Sequence, residues 1–181
     1  MRIIKEETIA IMVDIQEKLL PAMLNKEDLI ENTIKLLKGL KLLGVPVLIS
    51  RQYTKGLGDT VNELKELLDE GTPDFDKITF SCYDDINIKN FIDSQNIKYI
   101  ILFGIEAHIC LQQTAIDCMA AGYQAVVVTD CISSRKKKDK KIAIHRYEKE
   151  GVVLATYESI LFELTRQAGT DTFKEISKII K

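Results

Sequence analysis

The chain has no run approaching the roughly 18 uncharged apolar residues that a membrane-crossing helix needs. Its opening, Met1-Arg2-Ile3-Ile4-Lys5-Glu6-Glu7, also lacks the long apolar core of a secretory leader. Excess charge is missing too. The 25 basic and 27 acidic residues leave a formal net charge of -2, which argues against a nucleic-acid binder. The four cysteines, Cys82, Cys110, Cys118 and Cys131, form no C-x-x-C pair and share no zinc-ligand spacing with His108 or His145. These absences predict a cytoplasmic protein with free thiols, no metal and no cofactor, and with neither membrane nor nucleic acid as a partner.

Phosphate-handling motifs are absent as well. There is no G-x-x-x-x-G-K-[ST], and Lys55-Gly56-Leu57-Gly58-Asp59-Thr60 lacks the third glycine of a dinucleotide fingerprint, so it reads as a turn. A phosphate-cradling C-x5-R after Cys110 requires arginine where Ile116 stands. One basic run, Arg135-Lys136-Lys137-Lys138-Asp139-Lys140-Lys141, has a single aromatic nearby and reads as a solvated helix face.

What the chain does have is a regular alternation. Short apolar runs (Ile9 to Val13, Val45 to Ile49, Ile100 to Phe103, Ala125 to Thr129, Val152 to Thr156) alternate with longer amphipathic ones (Leu29 to Leu43, Val61 to Leu68, Leu111 to Ala121, Lys140 to Lys149). The strands are continuously apolar rather than alternating, as expected of a parallel sheet covered on both faces. Gly44, Gly122 and Gly151 stand where helices should stop, and Thr60-Val61-Asn62-Glu63 resembles a capping box, with Asp59 an alternative cap. With 181 residues, 46% of them hydrophobic, the pattern predicts a single doubly wound α/β domain over residues 1–181. Ligands of such sheets bind beyond the carboxyl ends of the strands, at a switch in strand order.

Three residues stand out under that rule. Asp14 follows the five apolar residues of the first strand and is either a cap or a general base. Cys110 lies where a strand gives way to a helix, a place whose free N–H groups and dipole favour a thiolate, although a small buried packing cysteine fits there too. Lys77, in Phe75-Asp76-Lys77-Ile78-Thr79-Phe80-Ser81, is either an exposed cation paired with Asp74 or Asp76 or a buried electrostatic partner. As a group they give a nucleophile, a proton acceptor and a cation, with backbone N–H groups near Cys110 as oxyanion donors. His108 and His145 are weaker candidates for the base.

Asp14-x-Gln16, Lys77-x-x-Phe80-Ser81 and Gly104-Ile105-Glu106-Ala107-His108-Ile109-Cys110, in this order, resemble the isochorismatase-like cysteine hydrolases, a superfamily that also holds nicotinamidases and N-carbamoylsarcosine amidases. The resemblance extends over nearly the whole chain, through Gln52-Tyr53-Thr54-Lys55-Gly56-Leu57-Gly58 to Glu158-Ser159-Ile160-Leu161-Phe162-Glu163-Leu164. It implies a three-layer fold on a six-stranded parallel sheet and a triad of Asp14, Lys77 and Cys110. It also implies a cis peptide between Ile105 and Glu106 and an oxyanion hole from the N–H groups of Glu106 and Cys110. Where metal-binding nicotinamidases carry Asp-x-His, this chain has Gln52 and Thr54, which argues against a metal-dependent nicotinamidase, and its Gly104-Ile105-Glu106-Ala107-His108 most resembles the subgroup of isochorismatase-domain hydrolases.

The expected activity is hydrolysis of a small amide or related carbonyl metabolite through a covalent Cys110 intermediate. Gln16, Tyr53, Phe80 and Glu106 are the candidate pocket wall, although aromatic core packing also accounts for Tyr53 and Phe80. The alternative is a non-catalytic homo-oligomeric scaffold or metabolite-binding protein on the same fold. Homo-oligomers are common in the resembling family, and Phe173, Ile176, Ile179 and Ile180 suit either an interface or packing on the chain's own sheet.

Overall fold

The computed structural model describes residues 1–181. Six strands form one sheet: β1 (Thr8–Val13), β2 (Val47–Gln52), β3 (Asp74–Lys77), β4 (Tyr99–Ile105), β5 (Gln124–Ser133) and β6 (Val153–Ala155). Their order is β3-β2-β1-β4-β5-β6 and every pairing is parallel. Eight α-helices accompany them: α1 (Lys26–Leu43), α2 (Thr54–Leu57), α3 (Asn62–Lys65), α4 (Ile86–Asp93), α5 (Cys110–Ala120), α6 (Lys137–Lys149), α7 (Tyr157–Thr165) and α8 (Asp171–Ile179).

The expected three-layer α/β architecture is present. Along β4 the side chains alternate between layers: Ile101 and Phe103 enter the apolar layer that includes Leu36, Leu40 and Leu161, while Ile100 and Leu102 enter the one with Ile88, Leu111 and Tyr147. Both faces are therefore dry, which is why the strand reads as an unbroken apolar run.

The chain runs outward from β1 to β3, then returns to lay β4 on the other side of β1. In open α/β sheets such a reversal marks the place where ligands bind, here the carboxyl ends of β1 and β4. Gly104 seams the two halves. Its register partner is Val13, its φ is +124°, and an added Cβ would stand 2.1 Å from the Val13 carbonyl oxygen. No other residue fits so close an approach in that conformation.

Three local expectations are corrected. The helix predicted over Val61 to Leu68 is the single turn Asn62–Lys65, and neither Thr60 nor Asp59 caps it: the N-cap is Val61, with no side-chain bond. Asp59 is drawn into ion pairs with Arg51 and Lys65 instead. The carboxy-terminal apolar residues pack on helices rather than on the sheet, since α8 lies against α1 and α7, with Phe173 beside Phe162 and Ile176 buried. Finally, the basic run is only partly a solvated face. Lys137, Lys140 and Lys141 line a cleft of about 710 Å³ with Asp28, Asn32 and Asp130.

Candidate active site

Asp14, Lys77 and Cys110 come together beyond the carboxyl ends of β1, β3 and β4. Asp14 leaves β1 with φ +51°, and its carboxylate is fully buried. It caps no helix: Oδ1 accepts from Ser50 Oγ at 2.8 Å and Oδ2 accepts from Lys77 Nζ at 2.8 Å. Lys77 ends β3, two strands away from β1, or about 10 Å at ordinary strand spacing. Its long stem crosses the end of β2 to make that contact.

Lys77 is not the exposed partner of Asp74 or Asp76. Those two acids are occupied by Arg51 Nε and by Thr54, while Lys77 is 1% exposed. Its ammonium meets four acceptors: Asp14 Oδ2, Gln52 Oε1 at 2.6 Å, and the carbonyls of Thr79 and Phe80, each at 3.1 Å. Three protons among four acceptors leave none for a ligand, so Lys77 acts here through its charge. Burial pulls its pKa down, but the Asp14 carboxylate and the thiols of Cys82 and Cys110 outweigh it, and the net shift is upward.

Cys110 is the first residue of α5 and 7% exposed, in contrast to Asp14 at 0%. Burial and the negative charge of Asp14 push the thiol well above its ordinary range, and Lys77 offsets this only in part. The helix terminus favours an anion, yet a carboxylate beside the sulfur and the loss of water together favour the thiol.

The Ile105–Glu106 peptide is cis, as the resemblance implies. Neither the Glu106 N–H nor the Cys110 N–H has an acceptor within the protein. Two free donors flank the loop that presents the sulfur. The Glu106 side chain, 8% exposed, is bound through Oε2 by the backbone N–H and Nε of Arg135, both at 3.1 Å.

The four candidate wall residues fare differently. Gln16 is buried and its amide is spent on the backbone: it donates to the carbonyls of Gln52 and Gly58 and accepts from Gln52 N–H. It fastens two loops and has no donor left for a ligand, which corrects its placement in the wall. Tyr53 and Phe80 are 53% and 55% exposed, so core packing does not explain them. Both adjoin Lys77: Tyr53 N–H donates to the Lys77 carbonyl, and the Phe80 carbonyl accepts from Lys77 Nζ. Glu106 is held at the site by Arg135 as described.

Sequence reasoning missed Ser50, Gln52 as a partner of Lys77, Cys82 and Arg135. The first two are set by register, Val13 opposite Ser50 and Gln52 opposite Lys77, and only an alignment of the strands could have found them. No group of three or more His, Cys, Asp or Glu side chains is arranged to hold a metal ion, and no helix is long and apolar enough to cross a membrane.

The Isochorismatase domain profile matches residues 8–159. The chain belongs to the isochorismatase family. It is 37% identical to isochorismatase domain-containing protein 1 of Salmo salar over 179 residues, covering 99% of this chain but 62% of that protein. It is 37% identical to isochorismatase domain-containing protein 2A of Mus musculus over 180 residues, covering 99% of this chain and 85% of the other. Thus the chain spans about three-fifths of the first relative and most of the second. Among solved structures, one described as the MAR1 ribonuclease of Caenorhabditis elegans superposes with a TM-score of 0.93 at 34% identity, covering 99% of this chain and 92% of that one. The YcaC gene product of Escherichia coli, described as an octameric hydrolase of unknown specificity, shares the fold with a TM-score of 0.92 at 20% identity, covering 98% of this chain and 90% of that one. The isochorismatase-like hydrolase fold is thereby established for this chain.

Proposed function

We propose that residues 1–181 form one cysteine hydrolase domain acting on a small amide or related carbonyl compound. The observation that carries this reading is the buried 2.8 Å contact of Lys77 with Asp14 beside the partly accessible Cys110 thiol. As Cys110 Sγ bonds to the carbonyl carbon, its proton passes to Asp14. The oxyanion is received by the free N–H groups of Glu106 and Cys110. Asp14 then delivers the proton to the leaving nitrogen, the C–N bond breaks, and a thioester remains on Cys110. Water attacks the thioester, again giving a proton to Asp14, and the acid departs as the thiol is restored. Lys77 keeps its proton throughout and balances whichever anion is present.

Tyr53 and Phe80 form the exposed aromatic rim where a flat substrate rests. With Ile78 at 81% and Ile86 at 63% exposure, that rim also suits contact with a second copy in a homo-oligomer, the assembly described for the E. coli neighbour.

The test is release of ammonia or acid from a panel of small amides, ureas and enol ethers, with RNA included as a competing substrate class. Turnover by the wild type and none by Cys110→Ala is expected. Turnover that survives Cys110→Ala, or cleavage of RNA alone, would overturn the reading.

A further inference from the structure

Ser50 and Cys82 take no part in the steps above, yet both are buried against Asp14. Ser50 Oγ donates to Asp14 Oδ1 at 2.8 Å, and Cys82 Sγ donates to Ser50 Oγ at 3.3 Å. Cys82 is itself anchored: its backbone N–H donates to Thr114 Oγ1 at 2.8 Å, and Thr114 Oγ1 donates to the Cys110 carbonyl at 2.8 Å. The bonds make a chain from the first turn of the nucleophile's helix to the carboxylate of the base.

We infer that Ser50 is a positioning residue for Asp14, at the centre of a hydrogen-bond circuit Cys110–Thr114–Cys82–Ser50–Asp14 that locks the base to the helix carrying the nucleophile. This inference rests on the hydrolase reading above.

The direction of every bond is fixed by proton counting. A serine hydroxyl has one proton, and its two neighbours here are an ionised carboxylate, which only accepts, and a thiol. Burial and the Asp14 charge push the Cys82 pKa up to about 11, so that thiol keeps its proton and donates. Ser50 therefore gives its single proton to Asp14 and cannot turn elsewhere. With Oδ1 tied to Ser50 and Oδ2 to Lys77, the carboxylate cannot rotate, and its orientation toward Cys110 is set by groups that never touch substrate. Ionisable neighbours of Asp14 on the surrounding elements are Lys77 from β3, Cys82 from the segment after it and Cys110 from α5. The Cys82 thiol and the Ser50 hydroxyl donate in the same sense, toward Asp14, so each polarises the next in this dry site.

The test reads the rate of Cys110 alkylation by iodoacetamide against pH, mapped by mass spectrometry on the full chain, so it needs no substrate. Ser50→Ala should slow alkylation at neutral pH about tenfold, the worth of a hydrogen bond to a charged group, and move the acid limb of the profile to higher pH. Ser50→Thr, which keeps the hydroxyl, should restore both. Cys82→Ser, which keeps a donor, should match the wild type, and Cys82→Ala should lose about threefold. A Ser50→Ala rate and limb equal to wild type, or a Ser50→Thr protein as slow as Ser50→Ala, would overturn the inference. If Ser50→Ala fails to fold, equal rates for Cys82→Ser and Cys82→Ala overturn it instead. Equal alkylation of wild type and Asp14→Ala would sink the hydrolase reading itself, a failure separate from that of the circuit.

Discussion

At the ends of β1 and β3 an aspartate and a lysine meet at 2.8 Å with both side chains fully buried, whereas beside the β5 cleft Asp130 and Lys140 are half-buried and do not pair. Lys140 Nζ rests on the Ile132 carbonyl at 2.7 Å, and Asp130 Oδ1 accepts from Tyr157 N–H at 2.9 Å. Burial lowers the Lys140 pKa because the Asp130 charge only partly opposes it. At Lys77 the same penalty is outweighed by direct contact with Asp14 and two nearby thiols. Burial raises the Asp130 carboxyl, with the Tyr157 N–H opposing. What decides the direction in which a lysine's pKa moves in this protein is contact, not depth.

The largest effect that breaks this comparison is on turnover. Cys110→Ala should cost about 10⁴-fold or more in kcat, while Lys140→Met, which removes an ammonium bonded to the Ile132 carbonyl and to none of Asp14, Lys77 and Cys110, should leave kcat unchanged; steady-state assays on any substrate found will show it.

Next is stability. Lys77→Met leaves the Asp14 charge buried without its ammonium partner and should cost about 3–5 kcal/mol. Lys140→Met removes a half-buried cation that has one carbonyl partner and should change stability by less than about 1 kcal/mol. Urea unfolding of the three proteins measures both, and equal losses would erase the contrast.

The two lysines should also respond to alkali in opposite ways. A folded-state pKa below the unfolded value of roughly 10.4 makes Lys140 a destabilising cation at neutral pH, and that penalty is relieved as pH rises toward 10.4. Lys77, whose folded pKa is raised, contributes stability that is complete below 10.4 and lost as pH climbs through its folded value. Subtracting Lys140→Met from wild type in unfolding experiments across pH 8–11, about the range set by these values, should expose the rising component.

The smallest expected effect is at the rim. Phe80→Ala should alter stability by less than about 0.5 kcal/mol, as for an exposed side chain, while raising KM several-fold if the ring rests on substrate. Unchanged KM would remove Phe80 from the pocket wall.

The sheet was legible wherever both faces of a strand are covered, because Ile100 to Phe103 and Ala125 to Val128 are then apolar without interruption. β3 escaped notice for the opposite reason. It is an edge strand whose sequence, Asp74-Phe75-Asp76-Lys77, buries only its last residue, so it carries no apolar run. Asp14 and Cys110 were readable because each follows a strand where a charge or a thiol is out of place, and Lys77 because Phe75 and Phe80 flank it instead of the charged residues usual around a solvated lysine. Ser50 and Cys82 were not, since a serine in a strand and a cysteine in a loop carry no local sign of a carboxylate across the register. Gln16 misled for a related reason: an amide two residues after a buried carboxylate has the same sequence signature whether it faces a ligand or ties down backbone.

Gly104 has a consequence for where this protein tolerates change. Because it presses main chain against main chain at Val13, the gap between Asp14 and the loop that leads to Cys110 is set by the backbone rather than by side-chain fit. An exposed ring such as Phe80 can be exchanged without moving that gap, whereas any side chain added at position 104 would force the two strands apart.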